Sequence, residues 1–137
     1  NLKAEYLINK HFSIYSKNVY TYGWDLSDNI PLGHIPPFYG KTGFEIQKKI
    51  FNFGFNSQYN YEKNANLYSP TGVDNLENAL TNGTPTWFTL NSHFGFTISK
   101  TTINLGVDNI LDKHIRNFSS GVSRPGINIW ARVNYSF

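Results

Sequence analysis

Four histidines, nine acidic side chains and twelve basic ones are the groups in this chain with the reactivity for catalysis or metal binding, and their spacing is the first question. His11, His34, His93 and His114 stand far apart, with none of the short intervals that bring two imidazoles onto one ion. Cysteine is absent, which removes thiolate nucleophiles, disulfides and Cys-based zinc sites. No Ser-His-Asp ordering, carboxylate pair or phosphate-cradling glycine loop stands out, so the chain is read as something other than an enzyme, with no metal and no cofactor assigned. The net charge of +3 is dispersed, and Lys48-Lys49 is the longest basic run, so nucleic acid is not an expected partner.

The strongest pattern in the chain is alternation. Aromatic residues make up 17% of it, and residues 51–61 place Phe51, Phe53, Phe55, Tyr59 and Tyr61 on one face, with Asn52, Gly54, Asn56, Gln58 and Asn60 on the other. Only a strand with two unlike faces has this period. Its length of about eleven residues suits a tilted strand crossing a bilayer and exceeds the about five or six usual in soluble sheets. No apolar run reaches the roughly 18 to 20 residues of a membrane-spanning helix, so any crossing is made by strands.

The same period predicts seven strands, at 2–8, 12–24, 38–47, 50–61, 87–98, 102–109 and 126–137. Their connections alternate in length. Asn9-Lys10-His11, Lys48-Lys49 and Ser99-Lys100-Thr101 are tight, whereas 25–37, 62–85 and 110–125 are long and rich in Gly, Pro, Asn and Ser. Short periplasmic turns on one rim and long extracellular loops on the other are the habit of outer-membrane barrels. Tyr20, Tyr22 and Trp24 on one strand, and Tyr59 and Tyr61 on another, fall at ends leading into long loops, where amphipathic rings sit at headgroup level. His93 alternates with Trp87, Thr89 and Asn91 on a polar face, and Glu5, Glu45 and Asp108 point the same way, as a polar lumen lining would. A helix is expected only as a short surface piece near 73–80.

Three stretches carry a resemblance. The chain ends Gly126-Ile127-Asn128-Ile129-Trp130-Ala131-Arg132-Val133-Asn134-Tyr135-Ser136-Phe137, with apolar residues at every second position back from the terminal Phe137. This resembles the C-terminal signature read by the outer-membrane assembly machinery, here Ile129, Val133, Tyr135 and Phe137. Ile35-Pro36-Pro37-Phe38-Tyr39-Gly40 resembles the Ile-Pro-Pro-x-x-Gly entry into a late strand of TonB-dependent receptors, and Asn109-Ile110-Leu111-Asp112-Lys113 resembles their Asn-Leu-Phe-Asp-Lys segment. Paired prolines, lacking N–H donors, hold an extended backbone where a loop becomes a strand, and Asn-x-x-Asp ties a strand exit through side-chain to backbone bonds. Leu111 stands where that family usually has Phe, and Ile115 where Tyr often follows.

The resemblance implies an all-β, transmembrane, antiparallel up-and-down β-barrel, of which residues 1–137 are the C-terminal seven strands out of about 22. The plug domain and earlier strands are expected to precede Asn1. The implied function is TonB-dependent uptake of a scarce nutrient, first a ferric siderophore, with haem, cobalamin or a glycan as alternatives. The implied location is the outer membrane of a bacterial cell. The implied partners are TonB, reached through the N-terminal part, the assembly machinery, outer-membrane lipid and the small-molecule ligand. Trp24, Asp25 and His34 in one long loop and Tyr68, Asp74 and Asn75 in the next are the candidate ligand-facing residues, and His34 and His114 lie where haem importers hold axial ligands. A small structural or adhesive barrel, and a soluble lipocalin-like binder with its aromatic face turned inward, are the readings from other classes.

Overall fold

The computed structural model describes residues 1–80 and 82–137, and strands dominate it. In chain order they are β1 (Leu2–Asn9), β2 (Phe12–Val19), β3 (Trp24–Asp25), β4 (Ile30–Pro31), β5 (Tyr39–Gln47), β6 (Phe51–Asn60), β7 (Lys63–Asn64), β8 (Gly83–Thr84), β9 (Trp87–Ile98), β10 (Thr101–Asp108) and β11 (Asn128–Tyr135). Seven of them form one antiparallel sheet in the order β1-β2-β5-β6-β9-β10-β11, which is the order of the chain. The other four make two short ribbons, β3 with β4 and β7 with β8, inside the long connections. This is an up-and-down meander, open at β1 and β11.

Tight turns join β1 to β2, β5 to β6 and β9 to β10 at one rim. At the opposite rim stand the long connections 20–38, 61–86 and 109–127. The expected strand positions therefore hold to within two residues at each end, except at the exit of β2. β2 ends at Val19 rather than Trp24, because its partner β5 begins at Tyr39, just past Pro36 and Pro37. Two residues without an N–H end the ladder from the other side, and β2 has nothing left to pair with. Near 73–80 the backbone makes only a single 3-10 turn, Leu76–Asn78.

The register separates two faces. On one, Phe44, Phe55 and Ile14 line up across β5, β6 and β2, while Ile103, Leu105 and Val107 of β10 face Val133, Ala131 and Ile129 of β11. On the other, Glu45, Gly54, His93, Gly106 and Trp130 form one continuous row across five strands. Burial runs opposite to that of a soluble fold. Asn56, Asn60, Thr89 and Asn91 on the polar face are buried, whereas Phe88, Phe94, Ile98, Leu105 and Ile129 are exposed. Among the described residues, the hydrophobic side chains that are fully buried are Tyr68 and Ile115, and both lie in the loops.

Candidate functional site

The long connections converge on Asp74, whose side chain is wholly buried. Its Oδ1 accepts the His34 N–H at 2.6 Å, and its Oδ2 accepts the Ser69 N–H at 2.9 Å and lies 3.4 Å from Lys63 Nζ. Lys63 in turn donates to the Ile35 carbonyl at 2.6 Å and sits 4.2 Å from the Phe118 ring centroid. One carboxylate and one ammonium thus tie together connections 20–38, 61–86 and 109–127. Burial by itself would raise the Asp74 carboxyl. The two backbone N–H bonds and the Lys63 charge outweigh that and hold it below the usual carboxylate range. Burial lowers Lys63, and Asp74 only partly restores it.

Further bonds complete the tie. Tyr68 Oη and Thr84 Oγ1 lie 2.6 Å apart, and the Tyr68 ring meets Phe118 at 5.2 Å between centroids. Asn75, in the left-handed region at φ 51°, donates to the Ser119 carbonyl at 3.1 Å and to Ser119 Oγ at 3.0 Å. Arg116 donates to the Asn78 carbonyl at 3.0 Å. Among the expected ligand-facing residues, Tyr68, Asp74 and Asn75 are therefore engaged in holding loop to loop. His34 contributes its backbone to that knot while its side chain stays at the exposed surface.

Trp24 and Asp25 stand apart from the knot, on the β3–β4 ribbon. Trp24 Nε1 donates to Asn29 Oδ1 at 3.1 Å, and Asp25 Oδ1 accepts the Ser27 and Asp28 N–H groups, an Asx turn that shapes the ribbon tip. Trp24 also borders a cavity of about 240 Å3 with Tyr20, Leu32, Phe38, Tyr61 and Leu67. Phe38 packs on Tyr59 and Tyr61, with centroids 6.3 and 5.4 Å away, so this aromatic belt sits on the apolar side of the rim.

A second cavity, of about 300 Å3, lies on the polar side. Tyr39, Gln58, Asn60 and Trp87 reach it from the ends of β5, β6 and β9, and Asn117 and Arg124 close over it from connection 109–127. The Arg124 guanidinium stands 5.6 Å from the centre of the Trp87 ring. Trp87 Nε1 is buried with no acceptor among the described residues. Periodicity placed Trp87 on the polar face, but Arg124 carried no sequence signal, because what brings it there is the folding of its loop.

That folding starts from Asn109. Its N–H bonds Asn91 Oδ1 at 2.9 Å, its Oδ1 accepts the Lys113 N–H at 3.1 Å, and its Nδ2 reaches the Lys113 and Pro125 carbonyls at 2.8 and 3.3 Å. Asp112 accepts the Ile127 N–H at 2.8 Å, and so the Asn-x-x-Asp segment ties the strand exit as its chemistry implies. The C-terminal residues Ile129, Val133 and Tyr135 project from the apolar face, and Phe137, fully exposed, stands edge-on to Tyr135 at 5.3 Å. His11, His34, His93 and His114 do not gather, and His93 Nε2 meets Glu45 Oε2 at 3.3 Å instead.

The same arrangement of strands occurs in the solved structure of "Copper transporter OprC", with a TM-score of 0.84 and 18% sequence identity over 98% of this chain. The chain spans 22% of that protein's length. No family model matches the chain, and no curated protein does.

Proposed function

We propose that this chain is the C-terminal part of the barrel of a TonB-dependent outer-membrane transporter, a barrel of about 22 strands in all. The observation that carries this reading is the inverted sheet, with amides buried on one face while aromatic and aliphatic side chains stand exposed on the other. Leaving a large apolar side chain in water forgoes about 1.5–3 kcal/mol. Summed over that face, the loss exceeds the about 5–15 kcal/mol of net stability that a domain possesses. Lipid removes the cost, and a polar lumen accounts for the other face.

The loop rim then faces the outside of the cell, and the tight turns face the periplasm. The cargo is a scarce nutrient, in the first place a ferric siderophore. It meets the rim at Trp24, Asp25 and His34, while Tyr68, Asp74 and Asn75 fix the loops that present them. Ile129, Val133, Tyr135 and Phe137 form the signal read by the assembly machinery, and TonB acts through parts of the protein N-terminal to this chain. The test is fractionation of the native protein, followed by growth of a deletion strain. Detergent-dependent recovery from the outer membrane, and loss of growth on a ferric siderophore as sole iron source, are expected. A folded protein in the soluble fraction overturns the membrane reading, and unimpaired iron-limited growth with outer-membrane recovery overturns the cargo alone.

A further inference from the structure

We infer that the cavity on the polar side is a subsite for a small anionic solute, one that presents carboxylate or phosphate oxygens; this rests on the reading of that face as the lumen. Its polar lining consists of Tyr39, Gln58, Asn60, Trp87, Asn117 and Arg124, which bear N–H or O–H donors, although the Asn60 amide already donates to the Tyr61 and Pro85 carbonyls. Among the described residues no carboxylate lines it. Trp87 lines the wall of this cavity, and its Nε1, which can only donate, is buried without an acceptor among the described residues, a state that is uncommon in folded proteins. Arg124 brings a permanent charge above the same ring and, among the described residues, forms no ion pair within 4.0 Å. Asp112, the nearest acid along its loop, accepts the Ile127 N–H, and Asp108 at the end of β10 shares with Arg124 an adjoining cavity of about 90 Å3 but does not line this one.

A second observation extends the subsite along the wall. Gln58 is the register partner of Lys41, Lys41 of Lys17, and Lys17 of Lys3, so three ammonium-bearing side chains stand in one row across β1, β2 and β5 and lead to the cavity. Like charges directly opposed across a ladder destabilise it, so the row is a cost to the fold that an anion would relieve. Among the described residues, no carboxylate comes within ion-pair distance of any of the three. Glu45, which shares β5 with Lys41, is engaged by His93 instead. Lys17 and Lys41 flank one ring, at 5.7 and 6.0 Å from the Tyr15 centroid, which gathers the two charges on the polar face.

The test is calorimetry on the full-length protein in detergent, at low salt, with citrate and inorganic phosphate as anionic probes and sucrose as the neutral one. Citrate is expected to bind and sucrose not. Arg124→Gln is expected to weaken citrate about tenfold or more, the loss of a charge-assisted hydrogen bond. Lys41→Gln is expected to weaken it several-fold, while Lys113→Gln, an exposed loop charge, leaves it unchanged. Absence of citrate binding overturns the inference, as does equal weakening by Lys113→Gln or preference for sucrose. If acidic side chains from the rest of the protein fill the site, citrate does not bind and Arg124→Gln lowers the melting temperature; that outcome also overturns it. Binding is measured independently of fractionation and growth, so an outer-membrane protein that ignores citrate refutes this inference alone.

Discussion

The Glu45 carboxylate and the His93 imidazole meet 3.3 Å apart across β6, and Gly54 is the residue that lets them. Gly54 is the register partner of both. A Cβ at that position would collide with His93 Cε1 and with the Glu45 carboxylate oxygens. Overpacking of this kind costs about 1–3 kcal/mol, so Gly54→Ala is expected to lower stability by that amount in urea unfolding of the detergent-folded barrel. His93→Ala should recover part of the loss, because the collision with His93 Cε1 disappears while the one with the Glu45 oxygens, at the far end of a flexible side chain, remains. Additive effects of the two substitutions would show that the residues do not meet.

The two faces of β6 are separable by charge. Phe55 lies halfway along the strand on the apolar face and pairs with Phe44, and Asn52 lies on the polar face opposite Gly95. In the lipid-embedded barrel proposed above, Phe55→Arg is expected to destabilise by about 2–4 kcal/mol, whereas Asn52→Arg stays near neutral. Equal costs at both positions would contradict the assignment of faces.

Asp74 makes the loop layer sensitive to acid. Its carboxyl is held below its ordinary range in the folded protein, so the stability it contributes is fully present above the unfolded carboxylate pKa of about 3.9. That contribution falls as the pH drops through the depressed folded value. Protection of the Ser69 and His34 amides from hydrogen exchange, relative to the intrinsic rate at each pH, should therefore be high at neutral pH and fall as the pH drops below the unfolded carboxylate pKa of about 3.9. Asp74→Asn should speed the same amides at neutral pH, since it leaves the Lys63 ammonium buried without its counter-charge. Unchanged exchange in that variant would refute the role of the pair.

Phe137 lies outside the hydrogen-bonded part of β11 and is fully exposed. Its deletion is expected to leave the unfolding midpoint of protein refolded in detergent unchanged. The amount assembled in the outer membrane of living cells should fall several-fold. Normal assembly would mean that the terminal aromatic is not a recognition element, and a lowered midpoint would assign it a packing role instead.

The sequence by itself determined the seven strands, the two unlike faces and the rim on which each kind of connection lies. Each of these follows from a local, repeating signal: period-two alternation fixes which side chain goes to which side, and turn-forming residues mark where a strand must stop. Even the Asn109 tie to Lys113 was legible, since short polar side chains bond backbone close to them in the chain. Loop packing was not. His34 reaches Asp74 across 40 residues, Asn75 reaches Ser119 across 44, and Arg124 arrives over Trp87 only when its loop folds inward. Such contacts have no period. They form because seven paired strands bring three loop stems to one rim, where the buried N–H groups and charges of each connection find partners in the others.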